Sequence, residues 1–253
     1  MLTRITIALL CLLTSFPAAA GDITLDADNG VEYHQNEQKL VARGNARAAK
    51  DDMSIRAETL VGFYNPKVKN KLSRLEAYKK VVMKTSRADA DGDSLVYDIN
   101  EDTAVLKGSP AHIKLPDADI TAKGSITYYQ SKKQAVARDG VVATDAKGNK
   151  VYADLMTAYF VTGADDKLVL DRIDIEQNVK IISEDTVVTA LRGTYLAQAG
   201  KINLFDDVVI NQNGNILKGS KAETDLNTGI SKILSGSGSK GRVSGVFKEK
   251  KKE

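Results

Sequence analysis

The sequence is short of the residues on which most site chemistry is built. Among 253 residues there is one cysteine, Cys11, and no tryptophan. A lone cysteine excludes a disulfide framework and any cysteine-based metal or redox centre. There are two histidines, His34 and His112, and neither has a serine and an aspartate at a spacing that suggests a nucleophilic triad. HExxH, CxxC and glycine-rich phosphate loops are all missing. One stretch, "DADGD" at 89–93, superficially suggests a calcium loop. Its glycine comes too early, however, and Asn100 stands where a bidentate glutamate is needed. It reads instead as the polar entry to a strand. The expectation is no metal, no cofactor and no enzymatic activity. An excess of one charge is lacking too. With 36 Lys and Arg against 33 Asp and Glu, the chain is too balanced to argue for a nucleic-acid partner.

The one long apolar run lies at the start. Arg4 precedes Ile5–Leu13, then Pro17 and the small residues Ala18-Ala19-Ala20. A positive residue, a short apolar stretch and an A-x-A site make residues 1–20 a cleavable export signal, with Gly21 as the new N-terminus. A membrane span needs about 20 apolar residues, more than this run offers. Cys11 lies inside the run without the small residues that lipidation requires before it. The expected location is therefore the periplasm. No Pro- or Ser-rich linker interrupts the rest of the chain, so 21–247 is expected to form one domain. The lysine-rich residues 248–253 are expected to be a flexible, solvated tail.

What the chain does have is repetition. An apolar residue two before an alanine recurs at Leu25/Ala27, Ile55/Ala57, Ala88/Ala90, Ile120/Ala122, Val151/Ala153 and Val188/Ala190, and once more with glycine at Leu217/Gly219. The intervals run from 29 to 37 residues. An aromatic follows most of these alanines: Tyr33, Tyr64, Tyr97, Tyr129, Phe160 and Tyr195. A turn-like cluster comes next, then a second alternating stretch such as "LVARGNARA" or "AVARDGVVA". A fixed period near 30 is the signature of a repeat architecture. Alternation with β-branched residues predicts that each unit is a pair of short strands. One such pair cannot bury its apolar side alone, so stacked copies are expected to build a continuous sheet. The period of two puts one set on the inner face: Ile23, Leu25, Ala27, Ile55, Ala57, Ile113, Leu115, Ile120, Ala122, Val151, Ala153, Val188 and Ala190.

The order of these motifs resembles a family. "ITLDADNGVEYHQNEQKLVARGNARA" at 23–48, "IRAETLVGFY" at 55–64 and "GRVSGVF" at 241–247 before a lysine-rich tail are similar, in sequence, to the OstA-like lipopolysaccharide transport proteins. Ala46 departs from the family's usual branched residue, and the chain is long enough for extra repeat units. The resemblance implies an all-β jellyroll: a slightly open, V-shaped antiparallel sandwich with exposed edge strands. It implies that the inner set forms a groove for the acyl chains of lipopolysaccharide. It also implies a bridging role between an inner-membrane LptC-like protein and an outer-membrane LptD-like translocon, with end-to-end self-association as a further expectation. The edges expected to pair with partners are Ile23, Thr24 and Leu25 at one end and Arg242, Val243 and Val246 at the other. Two alternatives stay open at this point: an exported β-solenoid adhesin or glycan-binding protein, and an LptC-like protein that keeps its anchor.

Overall fold

The computed structural model describes residues 23–65, 72–164, 167–228, 230–235 and 242–247. The expected signal at 1–20 and the tail at 248–253 lie outside the described residues. Among the described residues, alternating apolar positions produce 18 strands, all in one sheet, and every pairing among them is antiparallel. Two short strands open it, β1 (Thr24–Asp26) and β2 (Val31–His34). A meander of long strands follows: β3 (Lys39–Lys50), β4 (Met53–Tyr64), β5 (Leu72–Lys84) and β6 (Asp89–Asp98). In the middle, two strands are broken in half, giving β7 (Thr103–Lys107) with β8 (Ala111–Lys114), and β9 (Ala118–Ala122) with β10 (Ser125–Tyr129). Long strands resume with β11 (Gln134–Asp145), β12 (Lys150–Thr162) and β13 (Leu168–Ser183). They continue through β14 (Thr186–Leu196), β15 (Lys201–Gln212) and β16 (Asn215–Asp225). Two short strands, β17 (Ile230–Leu234) and β18 (Ser244–Val246), close the sheet.

The long strands differ from the expected pairs of short ones, and a bulge is the reason. At the midpoint of β3, β5, β11, β13 and β15 two successive residues take positive φ: Gly44-Asn45, Lys79-Lys80, Asp139-Gly140, Gln177-Asn178 and Asp206-Asp207. The register shifts at each of these points. Two residues of the bulged strand oppose one residue of the next, which bends both strands without ending the ladder. Each long strand thus begins on one face of the sandwich and finishes on the other. Glycine, asparagine and aspartate tolerate the left-handed conformation, and seven of the ten corner residues named above are of these three types. Corner side chains also tie neighbouring strands together. Asn45 donates to Asp28 at 2.7 Å, and Arg192 donates to Asp206 at 2.6 Å.

The corner shifts the phase of the alternation. In β12, Val151 and Ala153 are buried before the bend, and Met156, Ala158 and Phe160 after it. The small alanine lies just before the corner, and the aromatic closes the inner side of the second face. Tyr97, Phe160 and Tyr195 all hold that position and are buried. In β10 the buried ring belongs to Tyr128, whereas Tyr129 faces outward, one residue from the position expected. Burial pushes the Tyr97 hydroxyl up to about 12, and an adjacent Asp102 carboxylate adds to the shift.

Ile120 is 1% exposed in β9, and Thr121 beside it faces outward. Replacing Ile120 with alanine should lower unfolding stability by about 3 kcal/mol. Thr121→Ala should cost less than about 1 kcal/mol. Denaturant titration of the two variants measures the difference.

Candidate functional site

Where β1 and β2 form the edge of the sheet, the two faces enclose an apolar cavity of about 210 Å³. The first face supplies Ile23, Leu25, Ala48, Met53 and Ile55; the second supplies Leu40, Leu60, Gly62, Tyr64, Leu72 and Leu75. Lys50 is the one charged residue on the wall. The inner side of the sheet becomes accessible here. Val31 lies opposite Ala42, which is fully buried, yet Val31 itself is 47% exposed. Tyr33 follows at 59% and Ile23 at 54%. These side chains have inward parity, but among the described residues no strand beyond them covers them. Chemically the cavity can shed water from an unbranched hydrocarbon group, each buried CH₂ contributing about 0.8 kcal/mol. A dry apolar cavity of about 150 Å³ already accommodates a benzene ring, so this volume admits the end of an acyl chain.

The structure distributes the expected inner residues unequally. Ile23, Leu25 and Ile55 line the cavity. Ala27 packs beside the core. Ala57, Ile113, Leu115, Ile120, Ala122, Val151, Ala153, Val188 and Ala190 are buried in one continuous core with no place on the cavity wall. Sequence reasoning missed the opposite wall entirely. Leu40, Leu60, Gly62, Leu72 and Leu75 follow the alternation only after the corner, so a reading anchored on the repeated alanine stops short of them. The phase shift itself was the available signal, since Leu60 comes three residues after Ala57, where unbroken alternation would put it two or four away.

Both expected edges are shorter than the sequence suggested. Ile23 precedes β1, and only Thr24 and Leu25 of the N-terminal trio are in the strand. At the other end Arg242 and Val243 precede β18, leaving Val246 as the strand residue of that trio. At this C-terminal end two short strands share one side of β16. Its first half pairs with β18 over Ile216–Lys218, and its second half pairs with β17 over Lys221–Asp225.

Neither histidine lies on the cavity wall. His34 ends β2, where its Nε2 is 3.0 Å from Glu32. His112 on β8 bridges Asp91 on β6 (2.8 Å) and Asp119 on β9 (3.1 Å). "DADGD" is strand, its Asp89, Ala90 and Asp91 paired with both β5 and β8. Among the described residues no group of three or more His, Cys, Asp or Glu could hold a metal ion. No helix among them is long and apolar enough to cross a membrane.

A family described as "LptA/(LptD N-terminal domain) LPS transport protein" matches residues 24–135 and again 119–230. No curated protein matches by sequence. Among solved structures, LptH of Pseudomonas aeruginosa, titled the LptA homologous periplasmic component of the lipopolysaccharide transport device, aligns over 90% of this chain and 96% of its own. Its 13% identity and TM-score of 0.24 are too low for the likeness to bear on this chain.

Partial burial works to lower the His112 pKa, but hydrogen bonds and charge from Asp119 and Asp91 outweigh it, and the net shift is upward from 6.5. A raised folded pKa stabilises below the unfolded value and loses that contribution as pH rises through the folded one. His112→Asn should therefore cost more stability at about pH 5.5 than at about pH 8. Melting curves at the two pH values check the sign.

Proposed function

This chain belongs to the LptA/LptD N-terminal-domain family of lipopolysaccharide transport proteins, and we propose that it works in the periplasm as a carrier between two membrane-bound partners. The observation that carries this reading is the apolar cavity at the open N-terminal end. Its wall is almost wholly hydrocarbon, and its rim residue Ile23 is half exposed. The exposed Val31 and Tyr33 lie on the neighbouring edge strand, Tyr33 opposite the wall residue Leu40. The cavity suits the acyl chains of lipopolysaccharide rather than the sugars. Ile23, Leu25 and Ile55 would touch the lipid first. The deeper inward residues, from Ala57 to Ala190, would meet it only where the two faces part.

The ends supply the bridging part of the proposal. β1 and β2 pair with β3 on one side alone among the described residues. An edge offers unpaired N–H and C=O groups, which proteins ordinarily blunt with lysine or proline; β1 and β2 contain neither. Strand addition is the matching recognition mode. In this reading the N-terminal edge takes an LptC-like inner-membrane partner. The C-terminal edge at Ser244–Val246 takes an LptD-like translocon or a second copy. That polarity comes from the family.

Two measurements test the proposal. A photo-crosslinking side chain at Ile55 should capture lipopolysaccharide, and one at Arg56, on the outer side of the same strand, should not. Labelling at Arg56 instead would place the lipid on the wrong face. Replacing Val31 and Tyr33 together with lysine should weaken binding to the inner-membrane partner about tenfold or more, roughly the ~1.4 kcal/mol that such a change represents. The fold should survive, because both side chains are already half in solvent. Unchanged binding in a pull-down would remove the N-terminal edge from the interface.

A further inference from the structure

We infer that the chain is an internal duplication whose second unit has had its mouth closed by the first, leaving one acyl-receiving mouth per chain, at the N-terminal end. The inference rests on the carrier reading above and specifies how many lipid sites that carrier has, and where.

The duplication is legible at several levels. The family matches twice with the same offset, 24 to 119 and 135 to 230, both 95 residues. At that offset Val41-Ala42-Arg43 falls on Val136-Ala137-Arg138, and the left-handed corner at 44–45 falls on the corner at 139–140. The broken opening strand β1/β2 falls on the broken strand β9/β10. The mouth residues also correspond: Leu25 to Ile120, Val31 to Ile126, Tyr33 to Tyr128. All are apolar, and all have inward parity.

Their surroundings differ. Val31 and Tyr33 are 47% and 59% exposed, whereas Ile126 and Tyr128 are 6% and 4%. The cover over the second pair is the last strand of the first unit. Ile126 lies opposite Leu106 and Tyr128 opposite Ala104 on β7, and Ile120 lies opposite Ile113 on β8. The wall has changed as well. Leu60 and Gly62, opposite Ala42 and Leu40, have as their counterparts in pairing Met156 and Ala158, opposite Ala137 and Ala135. Leu60 and Met156 are both buried in the core, so the change lies at the other position, Gly62 on the cavity wall against the fully buried Ala158. The cavity-wall glycine of the first unit, which brings the tip of Leu72 close to the backbone, is thus a buried alanine in the second. The second unit is left as a packed spacer. It lengthens the sheet without adding a site.

The test uses the full-length protein and a fatty acid carrying a diazirine, with adducts mapped by peptide mass spectrometry. The inference expects adducts on peptides of the first unit's wall, between Ile23 and Leu75, and none between Ala118 and Ile173. Comparable labelling of both regions would overturn the division of roles while leaving the carrier function in place. Absence of specific labelling anywhere would overturn the carrier reading, and this inference with it. Gly62→Val gives the second arm. A Cβ at Gly62 would lie 3.2 Å from Cδ1 of Leu72, the movable tip of a side chain, so the strand should tolerate it while the cavity shrinks. Labelling should fall about tenfold, the scale on which one hydrocarbon group in an apolar pocket is felt. If valine disturbs the fold by circular dichroism, Gly62→Ala, which copies the second unit, repeats the test with a smaller change. Undiminished labelling in a folded Gly62 variant would contradict the assignment of the mouth.

Discussion

Every second long strand has to turn a corner without giving up its hydrogen-bond ladder, and it does so by placing two residues in the left-handed region of backbone space. At Gly44-Asn45, Asp139-Gly140 and Asp206-Asp207 the residue types make that conformation cheap. At Lys79-Lys80 they do not, and a non-glycine residue held there costs of order 1–3 kcal/mol. The strain is tolerated because strands on either side determine the bend. From this one device comes the closing of a single sheet upon itself, with two faces enclosing a common interior. The phase change between the buried residues on the two sides of each corner has the same origin.

That interior explains the composition. Two faces drawn together from the same strands leave little depth, and the buried set is accordingly rich in alanine and short branched residues. Ala42, Ala46, Ala77, Ala111, Ala122 and Ala158 are all fully buried. Bulk is placed at the strand ends, where Tyr97, Tyr128, Phe160 and Tyr195 close the second face. The outer surface is held by polar contacts across strands. Arg172 stacks over Tyr159 and is 3.1 Å from Asp174, and Tyr78 donates to the buried Glu76. The partly exposed Arg172–Asp174 pair contributes little energy by itself, whereas the Tyr78 hydrogen bond satisfies a carboxylate that is buried.

Much of this was legible in the sequence. Period-two alternation and the recurring alanine pointed to an antiparallel sheet of stacked units, and the face assigned to Ile55, Ile120, Val151 and Val188 is the buried one. The continuity of the long strands was not legible. A bulge of two residues looks, in sequence, like a turn between two short strands, because the same Gly, Asn and Asp serve both purposes. The cavity was only half visible for a related reason. Ile23, Leu25 and Ile55 precede the corner and kept their expected phase. Leu40, Leu60 and Leu75 belong to the other face, and pairing across a closed sandwich depends on three-dimensional register that no local pattern encodes. The limits of β18 at Ser244–Val246 depend likewise on how β17 and β18 share β16.

These parts meet at the N-terminal edge. The sheet is covered on its inner side through its middle and opens where β1 and β2 have no further neighbour among the described residues. An apolar cavity lies at that opening, in a chain of a lipopolysaccharide transport family. The most direct test is native mass spectrometry of the full-length protein isolated from cells that make lipopolysaccharide. The account predicts one lipopolysaccharide molecule retained per chain and released by Gly62→Val. A protein that emerges without lipid, or with a soluble glycan in its place, would contradict it.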